Sequence, residues 1–250
     1  MQTIPVSSID PYDEGVLLDP YPYYSELRDL GPVVSLERYG VYAVARHQEV
    51  EYVLRNHGIF CSSAGVGLAN FRTDKPWRKP SIILEADPPL HDKTRKLLGG
   101  LLAPASIKQF KEDFERYADL LVDRIIEQGL VNAVHSLCIA YPIKVFADAV
   151  GVPEDGRELL MTYGDMVFNG FGPFNKRFEE RMATAGEAIA WVTENCKREK
   201  LRSGSLGERV WQAADRGEIE MDEAPMLVRT LLSASLDTTA FMLCNIRVPL

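Results

Sequence analysis

The chain has 250 residues, enough for one large domain or two ordinary ones, and an apolar share of 46% supplies a sizeable core. Its formal charge of -8 and pI near 5.1 argue against a general nucleic-acid binder. The opening Met1-Gln2-Thr3-Ile4-Pro5 has no basic region and no long apolar run, so no signal peptide is expected. No window reaches the roughly 18 uncharged apolar residues of a membrane span. Residues 226–246 come nearest, and Arg229 and Asp237 interrupt them. The four cysteines (Cys61, Cys138, Cys196, Cys244) lack metal-type spacing and read as free buried thiols of a reducing, cytoplasmic compartment.

In chain order, Asp19-Pro20-Tyr21-Pro22 opens a short amphipathic helix to about Arg28, which Gly31-Pro32 breaks. Residues 32–36 and 41–44, separated by Glu37-Arg38-Tyr39-Gly40, predict a small β-hairpin. Residues 47–56 have helical spacing through Val50, Val53 and Leu54. Residues 61–80, rich in Ser, Gly, Lys and Pro, read as a long loop, a length more often functional than idle. A helix over 88–102 is entered through Asp87-Pro88-Pro89. One over 106–128 carries Phe110, Phe114, Tyr117, Leu121 and Ile125 at helical periodicity. Shorter helices follow over 142–150 and 157–169, with a long run over 173–202 after the break Gly170-Phe171-Gly172-Pro173, then 206–216. Asp222 is the expected cap of the last helix, with Pro225 in its first turn. That helix is apolar on most sides and should be central. The fold class is mainly α with a small N-terminal β-sheet, over residues 1–250 without a linker.

The last helix carries the most informative residues. Arg229, Thr230, Ser233 and Asp237 fall within an arc of ~100°, with Ala234 and Thr238 continuing it. A carboxylate inside a greasy helix is costly without a partner or a task, although threonines in helices mostly bond back to the i−4 carbonyl. His91 and Arg95, spaced i, i+4, share one helix face and suit a carboxylate clamp, while Lys93 and Lys96 beside them equally fit a solvated basic face. Trp77-Arg78-Lys79-Pro80-Ser81 alone reads as a surface loop with one anchoring Trp. Phe168 and Phe171 alone read as core. There is no phosphate-binding glycine loop, no His-Glu-x-x-His, no Gly-x-Ser-x-Gly and no metal-like histidine cluster.

Taken in this order, the pieces resemble the bacterial cytochromes P450, haem-thiolate monooxygenases. The segment Glu85-Ala86-Asp87-Pro88-Pro89-Leu90-His91-Asp92-Lys93-Thr94-Arg95 resembles the family's DPP-x-H-x-x-x-R stretch, in which the His and Arg bind the haem propionates. Ala234-Ser235-Leu236-Asp237-Thr238-Thr239 resembles its oxygen-activating A-G-x-D-T-T motif. The resemblance implies a cytochrome P450 fold and haem b. It implies a hydrogen-bonding role for Thr238 and a proton-relay role for Asp237. A closer resemblance is to the subgroup oxidising para-substituted benzoates, by hydroxylation or O-demethylation. It implies a pocket of Arg78, Ser81, Leu84, Arg229, Thr230, Ser233 and Ala234, with Phe168 and Phe171 sandwiching the aromatic ring of a small aromatic carboxylic acid. A ferredoxin-type electron donor is the implied partner, with Lys93, Lys96, Lys108 and Lys111 as its docking patch, and a monomer without nucleic acid or membrane is expected.

Three departures stand out. Ser235 replaces the usual Gly or Ala, and its hydroxyl is expected to crowd the oxygen groove. The family's Glu-x-x-Arg helix and its Phe-x-x-Gly-x-x-x-Cys-x-Gly loop, the source of the axial thiolate, have no match. The expectation is a truncated cytochrome P450 fold covering the N-terminal half to three-fifths of such an enzyme, without a metal ligand of its own. A non-catalytic helical binder of haem or small apolar ligands, or an unstable product of a truncated gene, are the alternatives.

Overall fold

The N-terminal residues build a small mixed sheet. In the computed structural model, which describes residues 3–246, β1 (Val6–Ser7) pairs in parallel with β2 (Val34–Leu36), and β2 pairs antiparallel with β3 (Val41–Ala43), Ser35 opposite Tyr42. A one-turn 3₁₀ segment, Glu37–Tyr39, joins β2 to β3, and Gly40 follows at φ +61, a left-handed conformation that glycine adopts without strain. The hairpin is therefore as predicted. Neither β1 nor the short helix α1 (Glu14–Leu18), capped by Asp13 accepting from the Gly15 amide, was legible. Each is too short for periodicity to register. α2 (Tyr21–Leu30) buries Tyr23 and Leu27 against Val34 and Leu36 as a local core, and α3 (His47–Arg55) follows. No helix or strand lies in residues 61–80, in line with the predicted loop.

The chain divides into two compact units. The first holds the residues up to Pro80 together with Gly170–Phe174. The second holds Ser81–Asn169 and the chain from Asn175 onward. In the second unit come α4 (Leu90–Leu101), α5 (Pro104–Gln128), α6 (Ala140–Val150), α7 (Leu159–Asn169), α8 (Lys176–Thr184), α9 (Gly186–Asn195), α10 (Leu206–Asp215) and α11 (Ala224–Asn245). α6 is preceded by an unpredicted π-helical stretch, Val134–Ile139. The helix expected over 173–202 is three pieces. α8 ends at Thr184, Ala185 caps both helices, Gly186 opens α9, and a 3₁₀ turn Arg198–Lys200 closes the run, so apolar periodicity carried across the joints. The expected Asp222 cap is also corrected. Glu223 holds the N-cap position of α11 without a side-chain cap bond, its carboxylate instead accepting from the Glu220 amide.

α11 packs against α6, α7, α10 and the π-helical stretch. Its Leu227, Val228, Leu232, Leu236 and Ala240 are buried with Ala147 and Val150 of α6 and Val210 of α10 among the core residues. Burying a Leu or Val fully contributes roughly 1.5–3 kcal/mol, so this helix anchors the unit. By length and mean hydropathy α11 does meet the measure of a membrane-crossing helix, because its Leu, Met and Ala content outweighs Arg229 and Asp237 in the average. The cysteine expectation is half right: Cys138 and Cys196 are buried, while Cys61 and Cys244 are exposed. Cys244, in the last turn of α11, interacts with the buried Cys138 thiol yet is itself exposed, and is not a core thiol.

Candidate functional site

α4 begins where Pro88-Pro89 leads into Leu90, and the His91 amide donates to the Asp87 carbonyl (3.1 Å). The i, i+4 spacing puts His91 and Arg95 one turn apart. Thr94, Leu97, Leu98 and Leu101 face the core. His91 Nδ1 lies 3.1 Å from Asp92 Oδ1 at the half-exposed end of the helix. Arg95 lines an apolar cavity of about 910 Å³ that also takes in Leu84, Leu98, Thr230, Ala234 and Ser235. Lys108 and Lys111 of α5 stand at the same cavity. An apolar chamber with cations along its wall suits a ligand with an apolar body and an anionic edge.

α11 supplies a further part of the lining. Thr230 and Ala234 reach the cavity, and Thr238 follows one turn on at an exposed position. The hydroxyls are turned onto the helix itself: Thr230 Oγ1 donates to Met226 O (2.9 Å), Thr238 Oγ1 to Ala234 O (2.8 Å) and Ser235 Oγ to Leu231 O (2.7 Å). Such back-bonding spends the donor and leaves the lone pairs available. It also moderates the expected crowding by Ser235, whose hydroxyl points to its own backbone while its residue lines the chamber. Ser233 Oγ makes a longer contact, 3.4 Å, to the Thr230 carbonyl. Arg229 is half-buried, and its charge acts on the Cys196 thiol, which burial nonetheless pushes up to about 12.

Asp237 departs from the sequence-level stripe. It is 2% exposed and absent from the cavity wall, facing α7 instead. Burial pushes its carboxyl up to about 6, and the nearby Asp165 charge adds to the rise. A group titrating there can hold and release a proton near neutrality.

Ser81 is buried. Its amide donates to Glu85 Oε2 (2.6 Å) and its Oγ accepts from the Leu84 amide (3.2 Å), so a buried carboxylate that sequence reasoning passed over fixes this turn. In the first unit, Arg78 places its guanidinium over the Trp77 ring (5.2 Å) and the Phe171 ring (5.7 Å), and Nη1 donates to Lys79 O (3.2 Å). Trp77 also lies against Gly170, where a β-carbon would overlap the indole. Phe168 belongs to the second unit and meets Phe241 edge-on at 6.2 Å. Of the expected pocket residues, the structure thus gathers Leu84, Thr230 and Ala234 around one chamber that the expected haem contact Arg95 also lines, and Arg78 with Phe171 in one cluster; Ser81, Phe168, Arg229, Ser233 and the other expected haem contact, His91, are not among the chamber's lining residues. Among the described residues no group of three or more His, Cys, Asp or Glu is arranged to hold a metal ion.

No family model matches the chain. It is 44% identical over 252 residues to cytochrome P450 CYP199A2 of Rhodopseudomonas palustris, covering 98% of this chain and 61% of that protein. The chain is a relative of the bacterial cytochromes P450. A second P450, cytochrome P450(BM-1) of Priestia megaterium, is 26% identical over 98% of this chain and 62% of its own length. The chain thus spans about three-fifths of the length of both. Among solved structures, epothilone D-bound cytochrome P450epoK aligns with a TM-score of 0.77 at 20% identity, covering 94% of this chain and 62% of that one. CalO2 aligns with a TM-score of 0.75 at 22% identity over 93% and 59%. The fold is the P450 fold, mainly helical with a small sheet, as the motifs imply.

Proposed function

We propose that this chain forms the oxygen-side and substrate-side portion of a haem-thiolate monooxygenase acting on a small aromatic carboxylic acid. The observation that supports it most is the apolar chamber whose lining includes Arg95 of α4 together with Thr230 and Ala234 of α11. Its residues fit haem b: apolar walls for a macrocycle, with Arg95 at the wall to hold a propionate, while His91, one turn earlier on α4, is not among the lining residues and is assigned to the second propionate on its spacing alone. When bound, the haem iron supplies oxygen activation. No cysteine is among the residues lining the chamber, and the buried Cys196 thiol, raised to about 12, is a poor thiolate donor.

The remaining roles belong to this chain's own groups. Thr238, its hydrogen committed to Ala234 O, accepts a hydrogen bond and orients water. Asp237 holds the proton to be delivered. Arg78, Ser81, Arg229, Thr230 and Ser233 are assigned to the substrate carboxylate, Leu84 and Ala234 to its apolar edge, and Phe168 and Phe171 to its ring. A ferredoxin-type donor would be drawn to the exposed Lys93, Lys96, Lys108 and Lys111. Residues 1–250 act as one incomplete P450 domain, monomeric and cytoplasmic, without nucleic acid or membrane.

Haemin titration followed by the Soret band tests the reading. Saturable binding is expected, with Arg95→Ala weakening it tenfold or more, about 1.4 kcal/mol. Equal affinity in the variant, or no saturable binding, removes it. The chamber without a cysteine also favours a second reading, a helical haem or small-ligand binder without thiolate. A reduced CO complex with a thiolate-type Soret band rejects that one.

A further inference from the structure

α7 meets α11 at a glycine. A β-carbon on Gly164 would overlap the Asp237 carboxyl, lying 2.7 Å from Oδ1 and nearer still to Oδ2. Gly164 is itself buried, within an otherwise apolar face of Leu160, Tyr163, Met166 and Val167. A helix interior disfavours glycine relative to alanine, so its presence here needs a compensating reason. The recess left by the missing side chain is that reason, since it is filled by the carboxyl of the next helix.

We propose that Gly164 is the positioning residue for Asp237: the bare backbone of α7 forms the recess that holds this carboxyl away from the chamber. The catalytic consequence rests on reading Asp237 as the proton carrier, but the recess itself does not.

The surroundings support a held, uncompensated acid. Among the described residues no cation pairs with Asp237. The titratable neighbour that acts on it is Asp165, adjacent to Gly164. Asp165 is in turn engaged by Arg181 Nε of α8 at 2.6 Å and accepts from Asn169 Nδ2 at 2.9 Å. A Gly164→Ala side chain does not meet rigid backbone. It meets the end of a short side chain that can rotate, so the expected response is relocation of the acid rather than collapse of the fold.

Two measurements test this without haem or turnover, so they fail independently of the monooxygenase reading. In the first, the Asp237 carboxyl is titrated by carbon-13 NMR in aspartate-labelled protein, assigned by its loss in Asp237→Asn. Gly164→Ala should shift its midpoint by a unit or more toward the ordinary carboxylate range, as the group leaves the recess. An unchanged midpoint in folded Gly164→Ala overturns the proposal. In the second, Gly164→Ala is compared in the Asp237 and Asp237→Ala backgrounds. It should lower the Tm when the carboxyl is present and leave it unchanged or raised when the recess is empty. Equal losses in both backgrounds overturn the proposal, and this second pair remains decisive if Gly164→Ala alone fails to fold.

Discussion

Replacing Asp237 with asparagine should stabilise the protein, and by an amount that depends on pH. The Asp237 carboxyl rises from 3.8 to about 6 on folding, chiefly through burial and then through Asp165. The folded chain therefore holds this proton more tightly than the unfolded chain. With the linkage sign worked out, the unfolded state binds fewer protons between pH 4 and 6, so stability falls as pH rises through that window and is level above it. At 1.36 kcal/mol per unit, a shift of about two units corresponds to about 3 kcal/mol at most, and relaxation of the carboxyl toward water reduces it. Asparagine keeps the shape and cannot ionise. The variant should match the parent near pH 3, below the unfolded carboxyl's range, and exceed it by roughly 2–3 kcal/mol at pH 8, about 5–10 °C in Tm for a chain of this size. Thermal melts followed by far-ultraviolet circular dichroism across this range give the difference curve, and subtraction removes the titrating groups that do not interact with Asp237. A pH-independent difference, or a parent that is the more stable at pH 8, refutes the argument that Asp237 is buried as an uncompensated acid.

Arg157 is 7% exposed and spends its guanidinium on Pro153 O (2.8 Å), Val152 O (2.6 Å) and Asp148 Oδ1 (2.8 Å), so Arg157→Ala should cost about 3–5 kcal/mol in a urea titration by stranding these acceptors. Alkylation mapped by mass spectrometry should label Cys61 and Cys244 first, with Cys138 and Cys196 protected until unfolding, since burial raises both buried thiols. Leu232→Ala, at a site 1% exposed in the α11 core, should cost about 2–5 kcal/mol by the same urea assay.

Much of the fold is legible because its long helices repeat their apolar residues at 3.6. α5, with Phe110, Phe114 and Tyr117 in register, begins within two residues of its predicted start. What escaped was set by terms that periodicity does not carry. β1 is two residues held by a neighbouring strand. The break between α8 and α9 leaves the apolar face of each piece continuous in sequence. The exposure of Cys244 depends on which neighbours cover the end of α11, and a cysteine's own chemistry does not report that.

At the site, spacing alone places His91 and Arg95 one turn apart on α4, and it places Thr230, Ala234 and Thr238 on one line of α11. Helical spacing also groups Asp237 with that line, yet the carboxyl is turned to α7. The angular difference between facing the chamber and facing Gly164 is small on a helical wheel. It is decided by where a neighbouring helix lacks a side chain. Gly164 carries no signal of this in its own segment, where it reads only as a weak helix former between Tyr163 and Asp165. The relation becomes visible when two sequence-distant anomalies, a buried acid and a buried helical glycine, are found to occupy the same space. Each accounts for the other: the glycine makes room for the acid, and the acid fills what would otherwise be a void between α7 and α11.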